Sequence, residues 1–381
     1  MQSHIAIDAF SSRLGIDLDA IRANYRTISR RVAPARCGAV VKANAYGLGA
    51  TMVGPALYRE GCRTFFVAQL CEAGPLEQVI GGDVEIFILN GIDPGTEALC
   101  AERGFVPVLN SATQVEHWRT LARSHGRSLP AALQVDSGMS RLGLPSAAAI
   151  ALANDPAFAR DVDLRLLMTH LACADEPARP ANVEQLARFR MLHAHFPGVP
   201  GSIANSGGTF LGGEFHGDVA RPGVALFGVD PGPLAEGLRP VVRLDARVLQ
   251  IRTIEAGTGV GYGLEHVATT RQRLATIAIG YADGWPRCLG GVGAAWRGGA
   301  RLPVAGRVSM DSTTVDISAL PEEALREGDF VELIGPSQSL DQVARDAGTI
   351  AYEILTQLGA RHARIYHESG AAQVRVPGSY P

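Results

Sequence analysis

The sequence predicts an α/β chain: an N-terminal (β/α)8 barrel of the TIM type, followed by a mainly antiparallel β C-terminal domain. Three observations carry that prediction. Over residues 1–240, eight short apolar runs alternate with amphipathic segments, the pattern of parallel βαβ units. Eight such units in roughly 200 to 250 residues suit a closed barrel better than an open doubly wound sheet. Over residues 241–381 the texture changes to strands separated by glycine-rich turns. The division is expected at 237–240, inside a stretch rich in proline and glycine.

Taken in order, barrel strands are expected at 37–41, 64–68, 84–89, 105–109, 131–135, 164–169, 201–204 and 224–227. Helices are expected at 50–60, 111–124, 146–154 and 182–196, where apolar residues recur at helical spacing. The second domain has strand patterns at 241–254, 274–279, 302–308, 313–317 and 330–334. One late helix is expected over 339–358, opened by the capping box Ser339-x-x-Gln342 and stopped at Gly359.

Composition narrows the function. With 381 residues and a net charge of −3, the chain has no basic block to suit nucleic acid or an anionic membrane surface. Its longest apolar stretches are strand-length, short of the ~20 residues a membrane span needs. Met1–Ile5 shows no basic segment followed by a long apolar one, so no secretory signal is expected. The 6 cysteines are scattered without a C-x-x-C pair, which reads as reduced thiols in a cytoplasmic protein.

The chemistry stands just past the strand ends. The first strand delivers Lys42, and a small-residue turn carrying Tyr46 follows at once. A lysine in a low-dielectric pocket loses part of its preference for the charged form and becomes a candidate for Schiff-base chemistry. The ordinary alternative is a lysine whose stem packs while its ammonium reaches water. The fifth unit gives Gln134, Asp136 and, after Ser137-Gly138, Arg141. The sixth gives His170, the seventh Asn205 and Ser206, and the last Arg221 before Pro222-Gly223-Val224. In a barrel these ends converge on one rim. Each residue alone has a plain explanation, such as an Asp136–Arg141 surface pair or a satisfied core histidine at 170. Together they form a cationic, hydroxyl-rich cup that suits a phosphorylated cofactor and a carboxylate substrate.

Val41-Lys42-Ala43-Asn44-Ala45-Tyr46-Gly47-x-Gly49 resembles the cofactor-lysine motif of the alanine racemases. Val135-Asp136-Ser137-Gly138-Met139-Ser140-Arg141-Leu142-Gly143 is similar to their second signature. Asn205-Ser206, Arg221-Pro222-Gly223, Gly261-Tyr262-Gly263, Gly280–Trp285, Gly306-Arg307-x-x-Met310-Asp311 and Tyr352-Glu353 follow in the family's order. The resemblance implies a pyridoxal 5'-phosphate enzyme that racemises alanine with two bases and supplies D-alanine for peptidoglycan, with no metal. Lys42 would carry the cofactor and serve as one base, and Tyr262 would be the other. A phenol acting as a base near neutral pH needs positive charge or hydrogen bonds close by. A His170–Arg221 relay would supply them, and Arg221 would face the cofactor's ring nitrogen. Tyr46, Ser206, the N–H groups of Gly223 and Val224, and Tyr352 would grip the phosphate. Arg141 and the Met310 N–H would orient the substrate carboxylate, and Tyr281 would narrow the entrance. Tyr262, Tyr281 and Met310 would reach the site of the other subunit, which implies a homodimer with shared sites.

Two positions depart from the family pattern. Gln134 stands where many members have a lysine that is carbamylated in use, and Leu48 stands where histidine is frequent. An amide hydrogen bond from Gln134, or a bound anion such as chloride, is expected to hold Arg141 instead. Competing readings explain less. A serine hydrolase built on Ser206 would conscript Asp218 and His266 but leave Lys42, Arg141 and Arg221 idle. A dinucleotide site at Gly47-x-Gly49 lacks its third glycine. A racemase of the same fold with broader specificity, accepting serine, remains open because a pocket discriminates by only ~1–3 kcal/mol per methylene.

Overall fold

Eight parallel strands close on themselves within Ile21–Arg239. They are β1 (Arg36–Cys37, continued past Gly38 by Ala39–Val40), β2 (Thr64–Val67), β3 (Glu85–Ile88), β4 (Val106–Leu109), β5 (Leu129–Gln134), β6 (Val162–Met168), β7 (Gly201–Ser202) and β8 (Val219–Ala220). Each of β1 to β6 pairs in parallel with the strand after it. β8 pairs in parallel with Arg36–Cys37. The Asp218 N–H donates to the Gly201 carbonyl at 2.7 Å and the Arg221 N–H to that of Ala204 at 2.9 Å, which joins β8 to β7 and completes the circle. The strands are apolar on both faces, as a barrel requires: Phe65, Phe66 and Val67 of β2 are all fully buried. Glycine is needed at 38, where β1 is interrupted, because a Cβ there would stand 2.7 Å from the Phe66 ring.

The computed structural model describes residues 7–375. Besides the barrel unit there is a second compact unit, made of residues 240–375 together with residues 7–20. Residues 7–20 were expected with the barrel. They join the other unit because the strand Ser12–Asp17 pairs antiparallel with Val242–Ile254 and parallel with Ala363–Glu368. Val242–Ile254 also runs antiparallel to Gln272–Ile277 and Phe330–Ile334, and Gln272–Ile277 to Thr313–Asp316. The unit is thus mainly antiparallel.

Three expected elements differ. The apolar run at 224–227 is a buried 3-10 turn, Val224–Phe227, and the eighth strand is Val219–Ala220. Uniform apolarity marked the run as buried, which a turn satisfies as well as a strand does. The late helix is two, Leu340–Asp346 and Ala351–Gln357. Gly348, at φ +68°, reverses the chain between them, and the Thr349 N–H closes the first on the Ala344 carbonyl. Ser339 does cap that first helix, accepting from the Gln342 N–H at 3.1 Å. The strand expected at 302–308 is only Ala300–Pro303, paired with Ala294–Arg297. No helix among the described residues is long and apolar enough to cross a membrane.

Candidate active site

At the carboxyl end of β1 the chain does something unusual. Ala43, Asn44, Ala45 and Tyr46 all lie in the left-handed region, with φ of 52°, 54°, 54° and 54°. That conformation costs a non-glycine residue roughly 1–2 kcal/mol. Bonds from the Gly47 N–H to the Ala43 carbonyl (2.7 Å) and from the Gly49 N–H to the Asn44 carbonyl (2.8 Å) hold it. The Asn44 side chain adds a third, accepting from the Ala50 N–H at 2.8 Å. The turn half-buries Lys42 and buries Tyr46 against Phe227, with ring centroids 5.1 Å apart. Of the 35 lysines and arginines in the chain, Lys42 is the single lysine.

An anion cradle lies beside it. The buried Ser206 Oγ accepts from the N–H groups of Gly223 (2.8 Å) and Ala225 (3.3 Å). Between them, the N–H of the fully buried Val224 has no protein partner among the described residues. A methyl group on Gly223 would collide with the Tyr46 hydroxyl, so the glycine lets these groups converge. Hydroxyls and clustered N–H groups around a free buried donor fit a phosphate, and the amine of Lys42 fits an aldehyde. The residues present therefore fit pyridoxal phosphate.

The walls are cationic. Burial, with the charge of Arg141, lowers the Lys42 ammonium below its usual range, and the Glu72 carboxylate pulls the other way. His170 is lowered to about 3 by burial and by Arg221, Arg141 and Lys42, so it is neutral at physiological pH. The buried Arg221 is brought down to about 9 by desolvation and keeps its charge at pH 7. It donates to the Thr169 carbonyl at 2.5 Å and to Ser202 Oγ. No hydrogen bond joins it to the His170 ring; their link is charge. Asn205 Nδ2 stands 3.4 Å from His170 Nε2 instead. Arg141 is exposed, at the end of a loop that Asp136 shapes by accepting from the N–H groups of Gly138, Met139 and Ser140 (2.8–3.1 Å). The plain alternative of an Asp136–Arg141 pair is not formed. Nor is the amide hydrogen bond expected from Gln134: that residue is buried beneath Gly143, out of hydrogen-bonding contact with Arg141.

One contributor lacks any sequence signal. Gln185, buried on the helix Pro180–His193, donates to the His170 carbonyl (2.9 Å) and Ser137 Oγ (3.2 Å) and accepts from the Ala172 N–H (2.9 Å). It ties the Arg141 loop to the His170 loop.

The neutral histidine has a consequence for acid stability. An unfolded chain takes up a proton at the ordinary value of 6.5, whereas the folded barrel refuses it until about 3. The stability this group contributes is therefore whole above pH 6.5 and drains away as pH falls toward 3. Thermal midpoints measured across that window are expected to fall with pH, and less steeply in His170→Gln, which has nothing to protonate. Superimposable curves for parent and variant would remove the effect.

Tyr262, Tyr281, Met310 and Tyr352 belong to the other unit. Tyr262 lies in the turn Tyr262–Leu264, next to the loop carrying Arg307, and is 71% exposed. The loops of Tyr281 and Met310 are hydrogen-bonded together: the Tyr281 N–H donates to the Ser309 carbonyl and the Ala282 N–H to that of Met310, both at 3.0 Å. Tyr352 sits in the first turn of Ala351–Gln357. The hydrolase reading fails here. Ser206 Oγ faces backbone N–H groups, Asp218 accepts from the Gly201 N–H at the opposite end of the strands, and His266 is bonded to Gln272 in the other unit.

Comparison with known proteins agrees with this geometry. The family model for the alanine racemase N-terminal domain matches residues 16–231, and that for the alanine racemase C-terminal domain matches residues 241–366. An alanine racemase of Brucella canis is 50% identical over 367 residues, covering 93% of each chain. A catabolic alanine racemase of Rhizobium johnstonii is 53% identical, over 93% of this chain and 94% of the relative. Among solved structures, the alanine racemase of Bartonella henselae, with covalently bound pyridoxal phosphate, superimposes with a TM-score of 0.91. It is 46% identical, over 94% of this chain and 99% of that one. The biosynthetic alanine racemase of Pseudomonas aeruginosa gives 0.86 at 37% identity, over 94% and 100%. On the strength of these matches and of the lysine-and-cradle geometry, the chain belongs to the alanine racemase family.

Proposed function

We propose that this chain interconverts L- and D-alanine as an isomerase that carries pyridoxal phosphate on Lys42. One observation supports this above the others: the chain's only amine side chain stands half-buried, with a lowered proton affinity, beside a cradle of hydroxyl and N–H groups. When bound, the cofactor acidifies the amino acid's α-C–H by drawing off the electron pair. The protein does the rest. Ser206, Tyr46, Tyr352 and the N–H groups of Gly223 and Val224 hold the phosphate. Arg141 and the Met310 N–H orient the carboxylate. Arg221, charged throughout, offers the ring nitrogen no proton acceptor, which favours return of the proton to the α-carbon. Lys42 removes or returns that proton from one face, and the Tyr262 hydroxyl serves the other.

Tyr262 acts in the site of a second copy, so the working form is a homodimer. Support comes from apolar and aromatic side chains left uncovered on the second unit: Tyr262 at 71%, Leu264 at 60%, Met310 at 52% and Tyr281 at 43% exposure. Mixing two inactive variants, Lys42→Ala and Tyr262→Phe, tests it. Each mixed dimer then holds one site with both bases, and random exchange should restore about a quarter of the parent's activity. Mixtures that stay inactive after exchange would overturn the shared site. Tyr281 and Met310 make alanine the first substrate and serine a weaker one. The two enantiomers have equal free energy, so the site itself imposes no direction. A role in supplying D-alanine for peptidoglycan, within the cytoplasm, predicts that deletion makes growth depend on added D-alanine.

A further inference from the structure

Glu72 lies in the first turn of the helix Leu70–Glu77, which follows β2. Its Oε2 accepts from the N–H groups of Ala68 (2.7 Å) and Gln69 (3.1 Å), so the carboxylate is anchored to the start of its own helix. Its Oε1 crosses to the N–H of Ala43 at 2.6 Å. Ala43 is covalently next to Lys42 and is the first residue of the left-handed turn. The turn's other described bonds run between residues 41 and 50 of its own segment, whereas this one ties it to a neighbouring βα unit. We propose that Glu72 is the positioning residue of Lys42, holding the turn against β2 so that the amine faces the anion cradle. The charges acting on Lys42 agree. Burial and Arg141 favour the free amine, and Glu72 opposes them. A mere helix cap would bind Ala68 and Gln69 and leave the lysine's titration alone.

The inference rests on Lys42 being the cofactor lysine, and its test has an arm that does not. Because no other lysine exists, amine-selective labelling of the full chain freed of cofactor, at graded pH and read by mass spectrometry on the peptide containing residue 42, titrates this one group. Glu72→Gln keeps the shape and loses the charge. The amine should titrate at lower pH, and the visible absorbance of bound pyridoxal phosphate should return about ten-fold more slowly or worse. Glu72→Asp keeps the charge and the helix cap but is one methylene short of Ala43. Its amine should titrate near the parent's while cofactor capture slows. A glutamine variant with the parent's titration and capture rate overturns the proposal. Should circular dichroism show that variant unfolded, the aspartate variant decides, and capture at the parental rate overturns the proposal. A parent chain that never gains the absorbance refutes the racemase reading instead, and the titration then judges Glu72 alone.

Discussion

Lys42→Ala is expected to lose about 10⁴-fold or more in turnover, because it removes both the cofactor's covalent anchor and one of two proton carriers. The loss should be unusually clean. In many proteins a neighbouring lysine can stand in for a missing amine, but this chain has no other. Decay of L-alanine ellipticity measures the rate. Borohydride treatment with pyridoxal phosphate should leave one phosphopyridoxyl group on residue 42 of the parent (cofactor less water plus two hydrogens) and none on the variant. A variant that keeps more than about one per cent of activity would contradict the assignment.

Tyr262→Phe carries the second-largest effect, about 10²- to 10⁴-fold in kcat, as expected for the loss of one general acid–base group. The ring is retained, so packing and KM should change little. In deuterated water the variant should wash deuterium into the α-position of one enantiomer, through Lys42, while inversion to the other stops. If both enantiomers continue to exchange and invert at the parental rate, residue 262 is not the second base.

What could be read from the sequence depended on how locally each feature was encoded. The barrel was legible because short apolar runs recur at regular intervals with helical patterns among them, and seven expected strands lie on observed ones. Lys42 and Ser206 could be proposed for the site from position because each closely follows an expected strand; Arg221 and Gly223 precede the run expected as the eighth strand, and their proposed roles came from the family resemblance. The failures share a cause. Ser12–Asp17 carries buried Leu14 and Ile16 in alternation, but its partners are 226 or more residues away. The run Val224–Phe227 is apolar enough for a strand, yet the Pro222-Gly223 step before it turns the chain to aim N–H groups at Ser206. Glu72 and Gln185 act through contacts 29 and 48 residues distant, with Ala43 and Ser137, which no local motif announces. Nor could spacing show that Arg141 would stand without Gln134.

The left-handed turn at 43–46 has one more implication, concerning handedness itself. The steric penalty there belongs to L-residues; for a residue of opposite chirality the same dihedrals are the comfortable ones. Ala43 is exposed. A semisynthetic chain with D-alanine at that position should shed about 1–2 kcal/mol of backbone strain. At this place in its own scaffold, the mirror-image product would be a better building block than the amino acid the ribosome installs.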